Sequence, residues 1–419
     1  MTINAPRGTN DILPPDSFKW QYLEEKAKEI CQKYNYKEIR TPIFESTDLF
    51  IRGIGESTDI VEKEMYTFKD KGGRSITLRP EGTAPVVRSF IENKLYGKAL
   101  PFKFFYSGPM FRYERPQAGR YRQFHQFGVE VLGSDNPLVD VEIIKLGIDF
   151  LKEVGLSNFV VEVNSVGCKE CRPDYLEKLK KYFSNVDQEL CGDCKRRINT
   201  NPFRVLDCKI ASCQEIISNA PKITDNLCDK CKSDFKEVKN GLNSLMIEYR
   251  EVPTLVRGLD YYTNTAFEIK SDDLGSQDAI FAGGRYNGLV EEIGNRNIPG
   301  VGFALGLERL EILLNDKDLD IKSGIDIYIV TIGEKAEREG FKYLNQLRES
   351  GISADKDYFG RSVKSQMKDA DRKNSNYTII LGSEELETGQ ATLRDMKSGE
   401  EFSVVLSKLS EKIIDLLEN

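Results

Sequence analysis

Histidine is almost missing from this chain: one residue in 419, His125. Mechanisms built on a Ser/His or Cys/His pair therefore have a single possible base, and a HExxH zinc helix is excluded. Long apolar runs are missing too. None approaches the roughly 18 residues that mark a membrane-spanning helix, so no membrane partner is expected. The opening MTINAPRGTNDILPPD lacks the basic start and apolar stretch of a secretion signal, and a cytoplasmic location is expected. Positive charge is also in deficit. A net charge of -7 and a sequence pI near 5.3 argue against indiscriminate coating of nucleic acid. They leave room for a nucleic-acid substrate held by a local basic patch.

What is present is the composition of a soluble globular protein, 30% charged and 39% hydrophobic, with length for two to four domains. Pro14, Pro15 and Asp16, the last a candidate cap, precede a helical pattern of Phe18, Leu23, Ala27, Ile30 and Tyr34. Pro42 then marks an extended edge or interface segment. From Ser75 to Gly133 strand-like runs alternate with turns, and RPQAGRY (115–121) should join the two strands of an antiparallel hairpin. A helix is expected at about 138–154. A cysteine-rich stretch, about 168–240, interrupts this body and reads as an insertion. After a charged linker at 315–324, strands and helices alternate, which indicates an α/β unit with a mostly parallel sheet.

Three groups of residues can carry chemistry. In FRYE, Arg112 and Glu114 would share one face of a strand, as would Gln126, Gly128 and Glu130 in the partner. Arginine suits phosphate and carboxylates suit amino groups, although a solvated face of ion pairs reads the same way. GVGFALGLERL misses the dinucleotide fingerprint; its glycines allow close approach to a ligand or simply pack, and Arg309 can reach a phosphate. LVRGLDYYT offers Arg257, Tyr261 and Tyr262, equally readable as a turn entering a core strand.

Taken together, RGTNDILP, TPIFESTDLF, TLRPEGTAPVVR, FRYERPQAGRYRQFHQFGVEVLG, VRGLDYYTNTAFE, AGGRYNGLVE and GVGFALGLERL occur in the order and spacing of histidyl-tRNA synthetases of class II. The resemblance runs along essentially the whole chain. It implies an α+β fold: an antiparallel sheet core with helices, an inserted helical Cys-rich segment and a C-terminal α/β anticodon-binding domain. The expected division is 1–324 catalytic and 325–419 anticodon-binding. The resemblance further implies activation of L-histidine by ATP, with Mg²⁺, transfer to tRNA(His), and a homodimer formed around Pro42. Arg112 would hold the α-phosphate, Glu114 adenine, and Arg309 the γ-phosphate. Glu81, Gly82, Thr83 and Gln126 would surround the α-amino group, and Glu130 and Tyr262 would read the imidazole nitrogens. Arg257 would lie between carboxylate and α-phosphate, with Tyr261 beside it. Arg112, Arg257 and Arg309 form the catalytic set.

Nothing in the composition of the last hundred residues shows anticodon binding independently. Lys364, Lys368, Arg372 and Lys373 could form a backbone-contacting helix side or an ordinary solvated face. The main alternative is a non-catalytic synthetase-like regulatory subunit of ATP phosphoribosyltransferase, a relative that lacks the C-terminal unit. Another is a class II synthetase for threonine or proline, against which GLDYYT and FHQFGVE argue. His125 should point away from the pocket, since it precedes Gln126 on a strand.

Eight of nine cysteines fall between Cys168 and Cys231, three pairs of them as C-x₂-C. That spacing fits structural zinc, but small buried thiols fit as well. No metal ligand is assigned from the sequence. In the family this insertion approaches the tRNA acceptor stem, so any zinc would be structural.

Overall fold

The computed structural model describes the chain except residues 1, 2, 57, 316, 318, 320, 322 and 419 and the side chains of 275–277 and 418. Two compact units result, residues 1–319 and 320–419. The 315–324 stretch expected as a linker falls partly outside the described residues.

The first unit is organised by an eight-stranded sheet whose inner strands, Phe102–Phe111, Gln123–Leu132, Gly300–Gly306, Ala279–Arg285, Thr263–Lys270 and Val160–Ser165, pair antiparallel throughout. Short strands pair parallel at both edges, Lys37–Glu38 and Arg250–Glu251. The two-residue period of a strand gives this sheet two chemically different faces. One carries Phe127, Val129, Val131, Val301, Phe303, Leu305, Phe267, Ile269 and Phe281. These pack with Trp20, Leu23 and Ile30 of helix Asp16–Lys33 and with Ile144, Phe150 and Leu151 of helix Leu138–Glu153. Each such side chain, fully buried, contributes roughly 1.5–3 kcal/mol.

The other face is built from small residues. Gly128, Gly302, Ala304, Gly306, Ala282, Gly284 and Ala266 neighbour one another across four strands. A β-carbon at Gly302 would fall 1.9 Å from the Glu130 carboxylate. Of the glycines of GVGFALG, Gly300 and Gly302 thus make room for the Tyr286 ring and the Glu130 carboxylate, whereas Gly306 leaves open space above the sheet where a ligand can lie.

Several local expectations need correction. Asp16 is the first helical residue rather than the cap; Pro15 precedes it and no side chain caps the helix. The hairpin strand ends at Phe111, so Arg112 and Glu114 lie in the loop beyond it. Helix Thr83–Glu92, buried through Val86, Val87 and Phe90, lies inside the stretch read as strands and turns. The insertion's last helix, Asp229–Ser244, joins the main core through Phe235, Val238 and Leu242.

The second unit is a five-stranded sheet packed by helices. It is mixed rather than mostly parallel. Ile327–Thr331 pairs parallel with Ala354–Lys356 and Tyr377–Leu381, whereas Tyr377–Leu381, Gln390–Asp395 and Glu401–Val405 run antiparallel. The reason is a turn at 397–400 (KSGE), which folds Gln390–Asp395 and Glu401–Val405 into a hairpin that adds antiparallel along Tyr377–Leu381. No described helix is long and apolar enough to cross a membrane.

Candidate active site

A cleft of about 500 Å³ opens over the small-residue face. Glu81, Thr83, Arg112, Glu114, Gln126, Arg257, Tyr261, Tyr262 and Arg309 all line it, drawn from five separate stretches of sequence. Gly82 and Glu130 do not. Gly82 starts helix Thr83–Glu92 and packs against Tyr106, where a β-carbon would come within 2.3 Å of the ring. Glu130 lies behind the wall, fully buried.

At one end of the cleft, cations converge. Arg112 is fixed by its Nε donating to the Pro80 carbonyl at 2.9 Å, and Arg309 by Nη1 donating to the Ala279 carbonyl at 2.7 Å. Arg120 lies 3.1 Å from Glu114, and Arg112 lies 3.8 Å from that same carboxylate. Burial, then Arg120, pushes the Arg309 guanidinium below its ordinary value, and Arg112 adds to the effect. A guanidinium does not lose its proton at neutral pH, so three positive charges stay together against the carboxylates of Glu114 and Glu64. Such a cluster is poised for a polyanion. Arg120 was missed in sequence; it sits in the 115–121 loop, where a tight Gln117–Arg120 pairing aims it back.

Opposite lies Arg257, whose Nη1 donates to Glu268 at 3.2 Å while its buried Nε has no partner among the described residues. Buried Gln126 Oε1 is likewise unpartnered. An orphaned buried donor and acceptor, facing one cleft, are costly unless a ligand satisfies them.

The other end is a closed carboxylate–hydroxyl network. Glu81 accepts from the backbone N–H of Thr83 at 2.7 Å and of Ala84 at 2.8 Å, so it caps the helix while facing the cleft. Burial nevertheless raises its pKa. Glu130 accepts from Thr83 Oγ1 at 2.7 Å, Tyr286 OH at 2.5 Å and Tyr106 OH at 3.4 Å. Burial pushes the Glu130 carboxyl up to about 8 against those hydrogen bonds, helped by the charge of Glu81. Tyr262 is pushed up to about 12 by burial, with Arg257 opposing. Tyr261 stacks tilted on Tyr262 at 4.7 Å and edge-on to Tyr286 at 5.7 Å. Tyr286 was not singled out in sequence although it lies in AGGRYNGLVE; a buried tyrosine has no period to betray it.

His125 faces the other side, as expected. Its ring meets Trp20 at 4.8 Å and Nδ1 lies 3.2 Å from Glu308. In the second unit, Arg372 pairs with Asp369, and Lys373 with Asp355 and Asp369, whereas Lys364 and Lys368 are exposed.

An antiparallel sheet flanked by helices, with paired arginines over a small-residue floor, is the architecture of a class II aminoacyl-tRNA synthetase core. The Histidyl-tRNA synthetase family model matches residues 8–310, and the Anticodon binding domain model matches residues 326–416. A histidine--tRNA ligase of Halothermothrix orenii is 61% identical over 419 residues, covering 100% of both chains. One of Clostridioides difficile is 53% identical over 99% of both. The apo S. aureus histidyl-tRNA synthetase structure superposes with a TM-score of 0.84 at 47% identity, covering 98% of this chain and 100% of that one. The chain belongs to the histidyl-tRNA synthetase family. A Bacillus halodurans structure titled ATP phosphoribosyltransferase regulatory subunit/histidyl-tRNA synthetase shares the fold, at 22% identity and a TM-score of 0.65. The full-length ligase relatives favour the enzyme over the regulatory-subunit alternative.

Proposed function

We propose that this cleft activates L-histidine with ATP to histidyl-adenylate and transfers the histidyl group to tRNA(His), releasing diphosphate and then AMP. The observation that carries the reading is the cleft's polarity, with Arg112, Arg120 and Arg309 at one end and the Glu81/Glu130/tyrosine network at the other. Arg112 would hold the α-phosphate, Glu114 adenine and Arg309 the γ-phosphate. Arg257, with its free Nε, would bridge the histidine carboxylate and the α-phosphate. Glu81, Thr83 and the unpartnered Gln126 oxygen would take the α-ammonium, with Tyr261 closing the pocket. Gly82 would contribute backbone.

Carboxylate attack on the α-phosphorus needs no protein base, because the nucleophile is ionised at neutral pH. Charge builds on phosphate oxygens, and fixed guanidiniums supply the stabilisation. Magnesium supplies further charge neutralisation on the nucleotide. It suits this site as the ATP complex, since Glu268, Glu162 and Asp278 are already paired with Arg257 or Lys270. Imidazole selection falls to Tyr262 and Glu130. The weakest donor on Glu130, Tyr106 at 3.4 Å, is the one an imidazole N–H would replace.

Residues 1–324 would form the catalytic domain and 325–419 the anticodon-binding domain. Exposed Tyr358 and Phe359 beside Lys364 and Lys368 offer stacking and phosphate contacts. The exposed Phe44 and Phe68 on the small sheet after Pro42 suit a second copy, giving a homodimer acting in the cytoplasm. Aminoacylation of mixed tRNA with each labelled amino acid tests the reading: label from histidine alone is expected, and charging with threonine or proline, or no charging, would overturn it.

A further inference from the structure

The eight cysteines of the insertion gather into two separate groups, Cys168, Cys171, Cys228 and Cys231, and Cys191, Cys194, Cys208 and Cys213. Within each group all four sulfurs lie within 4.8 Å of one another, and every one is a free thiol. The second group is nested in sequence inside the first. The Sγ atoms are 3.5 Å apart for Cys168–Cys171, 3.9 Å for Cys168–Cys228 and 3.9 Å for Cys191–Cys208. Four thiolates about 2.3 Å from a central ion stand about 3.8 Å apart, the edge of a regular tetrahedron. A disulfide needs about 2.05 Å. The space inside each group suits one ion rather than a multi-iron cluster.

The surroundings are those of thiolates. The Cys228 N–H points at Cys171 Sγ at 3.1 Å, the Asn264 amide at Cys231 Sγ at 3.3 Å, and the Cys191 N–H at Cys213 Sγ at 3.3 Å. Donors aimed at sulfur disperse the charge of a coordinated thiolate and orient it. The insertion also has need of a clamp. Its own core is assembled from short helices, and all eight of its cysteines are buried in or packed against that small cluster alongside Tyr175, Leu179 and Phe183.

We propose that this chain binds two structural zinc ions in Cys₄ sites, the outer one closing the neck of the insertion and the inner one fixing a wall of the cleft. Each ion enters as four thiols lose their protons to solvent. The outer site touches the turn that presents Tyr261 and Tyr262. Arg172, next to Cys171, donates to the Tyr262 carbonyl and to Val166 O at 3.2 Å. Asn264, held at φ 51°, exchanges backbone bonds with Val166 at 2.7 Å and Gly167 at 2.9 Å while its side chain reaches Cys231. The inner site includes Cys208, flanked by the cleft-lining Asp207 and Lys209. Upstream on the same loop, Arg204 donates to the Gly258 carbonyl at 2.6 Å. Both ions therefore steady residues around Arg257 and Tyr262 without touching substrate.

The test is metal analysis of the full-length protein purified without chelator from zinc-containing medium. Two zinc per chain are expected, with eight thiols shielded from a thiol reagent until the metal is stripped. The C168S/C228S and C191S/C208S variants should each lose one zinc and keep the other. Cobalt exchanged for zinc should show the charge-transfer and visible bands of tetrahedral thiolate coordination, a readout that holds even if a variant fails to fold. One zinc or fewer in the wild-type protein, iron in place of zinc, or two zinc retained by both variants would overturn the proposal.

Discussion

At one end of the cleft Arg112, Arg120 and Arg309 stand together beside Glu114 and Glu64, three cations to two carboxylates; at the other, Glu81 and Glu130 already hold amide and hydroxyl donors. The cationic end stores unbalanced charge and waits for phosphate. The carboxylate end is satisfied before any ligand arrives, so it offers geometry in place of net charge. Long-range attraction suits a triphosphate that every synthetase shares. Choosing one side chain among twenty calls for short, directional bonds in a water-excluded pocket.

The largest effect should come from the directional end. Glu130→Ala should lower histidine-dependent pyrophosphate exchange by roughly 10⁴-fold, because the imidazole N–H would then be buried without its acceptor. Near-normal exchange would break the comparison and the imidazole assignment with it. Next, Arg309→Ala should lower kcat/KM for ATP by about 10²–10³-fold, the scale of one lost preorganised charge contact. If histidine KM moved instead, the two ends would not be separable. A finer cut is Tyr286→Phe, which deletes one bond to a buried carboxyl worth about 1.5 kcal/mol. Histidine KM should rise about tenfold, with ATP KM unchanged in steady-state exchange.

The smallest effect is on stability. Burial raises the Glu130 carboxyl from near 4.5 to about 8, so between those values the folded protein holds a proton that the unfolded chain has released. Rising pH then removes stability through that window. The wild-type Tm should fall more steeply from pH 6 to 9 than that of Glu130→Gln, which carries no titrating group there. Parallel Tm curves for the two would show that Glu130 stays ionised.

Much of this was legible in the chain. The alternation of Gln126, Gly128 and Glu130, the glycines of GVGFALG and the hairpin around 115–121 follow from a strand's period of two, which needs no distant partner. Helix Thr83–Glu92 did not, since its buried Val86, Val87 and Phe90 read as well for a strand. Arg120, Glu268 and Tyr286 stayed hidden for a different reason. Arg120 and Tyr286 gain their roles from neighbours far away in sequence, Arg309 and Glu130, whereas Glu268 meets Arg257 within one motif, across the turn that carries Tyr261 and Tyr262.

The sequence by itself determined the chemistry available: one histidine, arginines in motif order, and C-x₂-C halves without their partners. Tertiary structure decided which half meets which. It joined Cys168 and Cys171 to Cys228 and Cys231 across the nested second group. It also set Glu130 behind the cleft wall rather than in it. Local spacing fixes a residue's face and reach, but pairing across dozens of residues depends on how the whole core closes, and no short window of sequence carries that information.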